Sequence, residues 1–183
     1  MGFNILQISF KKIESKPELE AIKNLYITAF PPNERREFDE LKKQVYNGAC
    51  HINLILIGEK IAGFIILWNF TGFVFLEHFA IVPELRGQGT GEKAIAEIKT
   101  RFQKTIILET EPPVDELNRR RIRFYERNGF HILKRTYFQP SYGGNKPEVD
   151  LTLMSTNPVC SSDELEEITQ SIRKNVYETG QTK

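Results

Sequence analysis

An anion-binding turn is predicted by one glycine-rich segment, Arg86-Gly87-Gln88-Gly89-Thr90-Gly91. An apolar, strand-like stretch precedes it at residues 73–82, and apolar residues recur at helical spacing over residues 92–102. Glycine allows the unusual dihedral angles of such a turn, and the first N–H groups of the following helix have no partner inside that helix. We therefore expect this strand, turn and helix to bind a phosphate or pyrophosphate group.

The glycine spacing excludes two common phosphate-binding loops. A P-loop requires Lys and then Ser or Thr directly after its last glycine, but Glu92 and Lys93 follow Gly91. A dinucleotide-binding loop requires a third glycine where Glu92 or Ala94 stands in this chain. A nucleotide-binding domain of another fold, which would bind ATP or NAD, is therefore a less favoured alternative.

A second informative segment is a predicted helix that ends in Phe-Tyr-x-x-x-Gly-Phe. Its residues Asn118 and Tyr125 lie on one face, and Gly129 favours a left-handed cap at its end. The glycine-rich turn, the strand-like residues 105–110 and this helix follow one another in an order that resembles the GNAT N-acetyltransferase superfamily. The resemblance extends over about residues 5–155 and is most specific in the turn and in the helix of Tyr125.

The resemblance implies an α/β fold, the GNAT (acyl-CoA N-acyltransferase) fold, with a mixed, mostly antiparallel central sheet flanked by helices. We expect this domain to span residues 1–155, followed by a C-terminal extension, residues 156–183, that is helical or partly disordered. The resemblance also implies acetyl-CoA as the acetyl donor, with its pyrophosphate on the glycine-rich turn. It further implies that the cofactor lies along the main chain of Phe79, Ala80, Ile81 and Val82 and beside Asn118 and Tyr125.

Transfer of an acetyl group to an amine sets the chemical requirements. A lysine-like amine has a pKa of about 10.4, so its neutral form costs about 4 kcal/mol at neutral pH and a base or a water chain must take up its proton. A thiol has a pKa of about 8.5, so the thiolate leaves readily and acid assistance matters less. The resemblance implies that Tyr125 is the acid that returns a proton to the thiolate.

Glu77 is the predicted base. It lies within the apolar residues 73–82, where a glutamate is costly to bury without a purpose, and the resemblance implies a glutamate at this place. Its alternative role is that of a structural hydrogen-bonding partner for a neighbouring loop. Glu109, at the end of the next strand, and a water chain are the other candidates for the base. Because side chains alternate along a strand, we expect His78 to face away from Glu77 and to be packed or exposed rather than catalytic.

The acceptor pocket has weaker candidates. The resemblance places two segments on the acceptor side, and their polar residues are Glu34, Glu37, Asp39 and Tyr142. An arginine cluster occurs in the helix of Tyr125 and consists of Arg119, Arg120, Arg121 and Arg123. We expect most of this cluster to be a solvated face, because a charge run usually is, with the adenosine phosphate of the cofactor as the alternative partner.

The rest of the chain alternates strands and helices. Strands are predicted at residues 5–13, 51–57, 61–70, 131–138 and 148–154, and helices at residues 17–29 and 38–46. A further helix is predicted from Ser162, with a narrow apolar stripe of Leu165, Ile168, Ile172 and Val176. The sequence leaves open whether this stripe docks on the domain, pairs with a second subunit in a homodimer, or partly frays.

Composition and length fit one cytoplasmic domain. The 183 residues are 40% hydrophobic and 27% charged, which is enough apolar material for a single core. The net charge of +1 gives no bulk attraction to nucleic acid, and no apolar stretch is long enough to span a membrane. Residues 1–10 lack the pattern of a signal peptide. Cys50 and Cys160 are expected to be reduced thiols, and no metal site is predicted, because their separation matches none.

The sequence therefore predicts an N-acetyltransferase that moves an acetyl group from acetyl-CoA to a primary amine by direct attack in a ternary complex. The alternative is a noncatalytic acyl-CoA-binding or partner-binding module on the same fold, because a fold alone does not determine a reaction. The expected partner is an amine of a small molecule or protein. A protein N-terminus, a lysine, a polyamine, an amino acid and an antibiotic all remain open as acceptors.

Overall fold

The computed structural model describes residues 7–158 and 161–178. Within these residues a central sheet has seven strands, in the order β1-β2-β3-β4-β5-β7-β6. The strands are β1 Ile8–Lys12, β2 His51–Ile57, β3 Lys60–Asn69, β4 Phe73–Ile81, β5 Thr105–Thr110, β6 His131–Gln139 and β7 Val149–Ser155. Neighbouring strands are antiparallel except β4 and β5, which are parallel. The predicted mixed, mostly antiparallel sheet is confirmed.

Helices flank this sheet, as predicted. They are α1 Lys16–Ala21, α2 Lys23–Ala29, α3 Phe38–Tyr46, α4 Thr90–Phe102, α5 Glu116–Arg127 and α6 Ser162–Ile172. Two short 3-10 turns occupy Pro32–Glu34 and Pro83–Leu85, and a π-helical stretch, Arg173–Glu178, follows α6. The single helix predicted over residues 17–29 is thus two helices, which meet at Ile22. The predicted N-terminal strand begins at Ile8, and its residues 5 and 6 lie outside the described part of the chain.

The helices form two layers, one on each face of the sheet. Helices α1 to α3 cover one face, where Leu19, Tyr26 and Leu41 join a core with side chains of β3, β4 and β5. Helices α4 and α5 cover the other face, where Ile95 and Ile122 pack with strand residues of the opposite set. Alternation of side chains along the strands supplies both faces, so the central strands read as continuous apolar runs.

The C-terminal segment, residues 162–178, docks on the same face as α1 to α3. Its residues Ile172, Val176 and Tyr177 are buried within that core. The helix begins at Ser162, and the Oγ atom of Ser161 accepts a hydrogen bond of 3.1 Å from the backbone N–H of Glu164 as an N-cap. The described part of the apolar stripe thus docks on the domain, which is one of the arrangements that the sequence left open.

The sheet opens between β4 and β5. These two strands pair only over residues 73–76 and 105–108. Both strands then continue to Ile81 and Thr110 without pairing with each other. The edge of β4 that faces this opening therefore has backbone groups with no strand partner among the described residues, and such an edge is a place where an extended ligand can pair.

Two further sequence predictions concern single residues and membrane segments. Cys50 is a buried free cysteine, and burial raises the pKa of its thiol, whereas Cys160 lies outside the described residues. Among residues 7–158 and 161–178, no helix is both long and apolar enough to cross a bilayer.

Candidate active site

A cavity of about 580 Å³ lies in the opening between β4 and β5. Its walls come from the end of β4, the glycine-rich turn, the end of β5, helix α5 and the loop after α2. This volume is typical of a site for a small molecule. The opening of the sheet thus positions the segments that the sequence singled out around one space.

The glycine-rich turn forms one end of this cavity. Its residues Arg86, Gly87, Gly89 and Gly91 line the wall. Gly87 and Gly89 have positive φ angles of 72° and 79°, a conformation that glycine adopts without strain. Gly89 is the N-cap of α4 and no side chain caps this helix, so its first N–H groups are open to an anion. The turn therefore has the form of a phosphate site.

The last glycine of the turn, Gly91, lies in a crowded position where a side chain would have little space. A Cβ atom at Gly91 would lie 3.2 Å from the ring of Phe124, so a larger residue would fit only if this ring shifted. This close approach brings α5 to the cavity wall.

The other residues predicted to bind the cofactor divide into two groups. Phe79, Ala80 and Ile81 line the cavity along the unpaired edge of β4. The remaining four are not part of the described cavity wall: Val82, Gln88, Thr90 and Asn118. Three of them make hydrogen bonds within the protein. The backbone N–H of Val82 donates to the Ala62 carbonyl (2.9 Å), and the side-chain amide of Gln88 donates to the Glu84 carbonyl (2.7 Å). The backbone N–H of Asn118 donates to Asp115 Oδ1 (2.8 Å). Thr90 is buried at the start of α4.

Glu77, the predicted base, lies on the cavity wall but is held from several sides. The indole N–H of Trp68 donates to Oε2 at 2.6 Å, and the Tyr142 hydroxyl donates to Oε1 at 2.9 Å. The buried Arg36 guanidinium lies 3.1 Å from Oε1. Burial alone would raise the pKa of Glu77, but Arg36 and these hydrogen bonds hold it below its ordinary value. A carboxylate held in this way is a weak base.

A β-bulge explains why His78 does not lie where the sequence predicted. Leu76 and His78 pair with the consecutive residues Leu67 and Ile66 of β3, so Glu77 is an extra residue in β4. The prediction that His78 faces away from Glu77 is wrong, because His78 Nδ1 lies only 3.9 Å from Glu77 Oε1. The imidazole is packed, as predicted, against the Phe30 and Tyr26 rings, and Nε2 donates to the Glu34 carbonyl at 2.9 Å. Burial lowers the pKa of His78.

Glu109 lies across the opening from Glu77 and has a different environment. The Tyr177 hydroxyl donates to its Oε2 atom at 2.6 Å. Its Oε1 atom is buried and has no hydrogen-bond partner among the described residues. Burial raises the pKa of Glu109 to about 7, although the hydrogen bond from Tyr177 acts in the opposite direction. A carboxylate with such a pKa can both accept and release a proton near neutral pH.

Tyr125, the predicted acid, lines the same cavity from helix α5. It is buried, and its ring packs edge-on against Phe124 and Phe130, with ring centroids 5.2 and 5.5 Å away. Burial raises the pKa of Tyr125 to about 12. The phenol therefore stays protonated at neutral pH and can act as a proton donor.

The acceptor-side candidates are only partly brought to the cavity. Glu34 is in the wall, and burial raises the pKa of its carboxyl. Glu37 forms an ion pair with Lys146 at 2.8 Å, and Asp39 forms one with Lys42 at 3.1 Å. Tyr142, as described above, contacts Glu77. Glu34 is thus the one of these four that lines the described cavity.

Most of the arginine cluster is a solvated face, as the sequence predicted. Arg119 and Arg123 both pair with Glu116 on the surface, at 3.3 and 2.6 Å. Arg120 is exposed. Arg121 differs, because it lines the cavity and forms an ion pair with Glu111.

Sequence reasoning missed three residues that shape this site. Arg36 and Trp68 contact Glu77, and Tyr177 contacts Glu109. Arg36 stands in a charged run and Trp68 in an apolar strand, so neither had a distinctive local pattern. For Tyr177 the sequence contained one indication, because the apolar stripe of the C-terminal segment predicted a buried face near this residue.

A mixed sheet that opens beside a glycine-rich turn is the architecture of the acyl-CoA N-acyltransferase class. Residues 19–130 match the family described as the Acetyltransferase (GNAT) family. This match spans more than half of the chain, and the chain therefore belongs to that family. The predicted family, fold class and enzyme class, that of acetyl-CoA-dependent acyltransferases, are confirmed.

Three individual proteins illustrate the similarity. A solved structure from Bacteroides thetaiotaomicron, assigned to the GNAT acetyltransferase family, is 31% identical, covers 92% of this chain and 98% of its own, and superposes with a TM-score of 0.86. YjbC of Bacillus subtilis (strain 168), named as an acetyltransferase, is 34% identical over 114 residues; the match spans 60% of this chain but only 56% of YjbC. Arabidopsis thaliana NAA60, solved in complex with acetyl-CoA, is 17% identical, covers 81% of this chain and 97% of its own, and has a TM-score of 0.62.

Proposed function

We propose that this chain transfers the acetyl group of acetyl-CoA to a primary amine, with Glu109 as the base and Tyr125 as the acid. The amine nitrogen attacks the thioester carbonyl carbon and a new C–N bond forms. Glu109 takes the proton that the amine loses, the C–S bond breaks, and Tyr125 returns a proton to the thiolate. Solvent then restores the proton of Tyr125 and removes that of Glu109. Direct attack in a ternary complex needs no acetylated enzyme.

The binding of acetyl-CoA is supported by the shape of the cavity. The glycine-rich turn and the uncapped start of α4 suit the pyrophosphate. The unpaired edge of β4 at Phe79, Ala80 and Ile81 suits an extended pantetheine arm, because that arm can form the hydrogen bonds of an added strand. The same fold binds acetyl-CoA in the Arabidopsis relative.

One observation carries the assignment of the base: Glu109 lines the cavity, and its buried Oε1 atom has no hydrogen-bond partner of normal geometry among residues 7–158 and 161–178. A base must have a free lone pair within reach of the proton that it accepts. Glu77, the base predicted from the sequence, accepts hydrogen bonds on both oxygens and faces Arg36. We therefore propose that Glu77 supports the cavity wall and that Glu109 takes the proton.

The acceptor is proposed to be an amine of a small molecule or of a protein. Glu34 adds a half-buried carboxyl to the wall. Burial raises its pKa because the charge is poorly solvated, and the positive charge of Arg121, in the same wall, offsets this only in part. A cationic group on the acceptor would stabilise the charged form of Glu34. This favours acceptors that carry a second positive charge, such as polyamines or lysine-containing peptides.

The proposal is tested by incubating the full chain with acetyl-CoA and a panel of amines. The panel contains polyamines, amino acids, lysine peptides, peptides with free N-termini and aminoglycosides. We expect at least one amine to increase thiol release and to gain the mass of one acetyl group. CoA binding in calorimetry without amine-dependent thiol release would instead support the alternative, a noncatalytic acyl-CoA-binding module.

A further inference from the structure

We propose that Tyr177, in the C-terminal segment, is a positioning residue of the active site that holds one oxygen of Glu109 so that the other faces the acceptor amine. This inference rests on the proposed function, in which Glu109 is the base. Tyr177 lies outside residues 19–130, which match the family. The C-terminal segment would thus be a working part of the site as well as a cover for the core.

The contact itself is direct. The Tyr177 hydroxyl donates to Glu109 Oε2 at 2.6 Å, a short distance typical of a hydrogen bond from a phenol to a carboxylate. Tyr177 is only 1% exposed, so water does not compete for this bond. With Oε2 held, rotation of the carboxylate is restricted. Oε1, which has no hydrogen-bond partner of normal geometry among the described residues, is then the oxygen left for the amine at the cavity wall that Glu109 lines.

The segment that carries Tyr177 is itself anchored. The guanidinium of Arg36 donates to the backbone carbonyl of Val176, and the same nitrogen lies 3.1 Å from Glu77. The Tyr177 ring packs against that of Tyr142, with the centroids 4.9 Å apart. The contacts occur in a π-helical stretch, Arg173–Glu178, a conformation that is rare and is frequently found at functional sites. Tyr177 is therefore held by its neighbours independently of its bond to Glu109.

The groups that face Glu109 determine its titration. Tyr177 stabilises the carboxylate through its hydrogen bond, and the charge of Glu77 disfavours it. The Tyr137 hydroxyl of β6 faces the same carboxylate and also lowers its pKa, although it makes no hydrogen bond of normal geometry. Because the bond from Tyr177 favours the charged form, its removal raises the pKa of Glu109, by about one pH unit for one such donor.

The test compares Tyr177→Phe with Tyr142→Phe in the full chain. Each change removes one buried phenol donor from one buried carboxylate, Glu109 in the first variant and Glu77 in the second. Carbon-13 NMR of the glutamate carboxyl groups gives the pKa of Glu109, and its signal is assigned by its loss in Glu109→Gln. We expect the pKa of Glu109 to rise in Tyr177→Phe and to stay in place in Tyr142→Phe.

The pH dependence of kcat/KM provides the second readout. In Tyr177→Phe the acidic limb of this pH profile should move to higher pH by the same amount as the pKa of Glu109. The value of kcat/KM should therefore fall about fivefold at pH 7 and recover above pH 9. An unchanged Glu109 pKa in folded Tyr177→Phe overturns the inference, as does a raised pKa without a shift of the acidic limb. A raised pKa in a chain that releases no thiol with any amine supports the contact and rejects the proposed function.

Discussion

Two carboxylates on the wall of one cavity have opposite environments. Trp68 and Tyr142 donate hydrogen bonds to Glu77, and Arg36 forms an ion pair with it. The pKa of Glu77 is therefore held below its ordinary value. Glu109 accepts one hydrogen bond, and burial raises its pKa to about 7. A pair of titratable groups with separated pKa values often marks the division of roles in an active site. This contrast, more than the position of either residue in the sequence, supports Glu109 as the base.

Removal of the Tyr125 hydroxyl should slow the reaction moderately. Burial raises the pKa of Tyr125 to about 12, so the phenol is protonated over the working range and can act as the acid. Because a thiolate is a fair leaving group unaided, Tyr125→Phe should lower kcat by about 10²-fold, the lower part of the range for acid–base catalysis. CoA affinity and the melting temperature should stay close to those of the parent, because the ring is retained. A kcat equal to that of the parent would show that another group protonates the thiolate.

The raised pKa of Glu109 also has a consequence for stability. In the unfolded chain a glutamate ionises near its ordinary pKa of about 4.3, whereas in the folded protein ionisation is delayed to about pH 7. Glu109 therefore destabilises the fold progressively as the pH rises from about 4.3 to about 7, by up to about 4 kcal/mol.

Replacement by glutamine should remove this penalty. Glu109→Gln should therefore melt at a higher temperature than the parent at pH 8 and at nearly the same temperature at pH 4.5. Thermal unfolding at the two pH values measures the difference. Equal stabilities at pH 8 would show that the carboxylate is better solvated in the folded protein than its buried Oε1 atom indicates.

At the scale of the elements, local patterns predicted the parts of the site, and the bulge altered their arrangement. The glycine-rich turn and helix α5 were predictable because glycine spacing, caps and helical periodicity are local features. The bulge in β4 was not, because it arises from the pairing of β4 with β3. The bulge brings His78 close to Glu77. It interrupts the alternation of side chains along β4, on which the predicted orientation of His78 was based.

The proposed phosphate-binding role of the glycine-rich turn can be tested with two variants whose new side chains have the same shape but different charge. Gly89 is the N-cap of α4, and a Cβ atom there would meet only Glu92 Oε2, at 3.9 Å. Asp and Asn both suit an N-cap and tolerate a positive φ better than other residues, so Gly89→Asp and Gly89→Asn should both fold. Only Asp adds a negative charge beside the phosphates.

Calorimetry with CoA should therefore give a dissociation constant at least about tenfold higher for Gly89→Asp than for Gly89→Asn, with a smaller difference at high salt. Both variants should retain the melting temperature of the parent within a few degrees. Equal affinities of the two folded variants would place the pyrophosphate elsewhere.

At the scale of the whole molecule, contacts distant in sequence complete the site. Arg36 and Val176 are 140 residues apart, and Glu109 and Tyr177 are 68 apart. No periodicity links such positions, which is why the sequence predicted a buried C-terminal stripe without predicting what it contacts. The sheet and its helices were predictable, whereas the choice between the two carboxylates depends on these distant contacts.

The most direct test of the proposed chemistry compares Glu109→Gln with Glu77→Gln, using one active amine and saturating acetyl-CoA. If Glu109 is the base, Glu109→Gln lowers kcat by about 10²- to 10⁴-fold and abolishes the acidic limb near pH 7. Glu77→Gln should keep an acidic limb, moved to lower pH because the charge of Glu77 no longer disfavours the Glu109 carboxylate. It should also melt at a lower temperature, because it leaves the buried Arg36 guanidinium without its counter-charge. Loss of the acidic limb in Glu77→Gln and its retention in Glu109→Gln would contradict the assignment and return the base to Glu77.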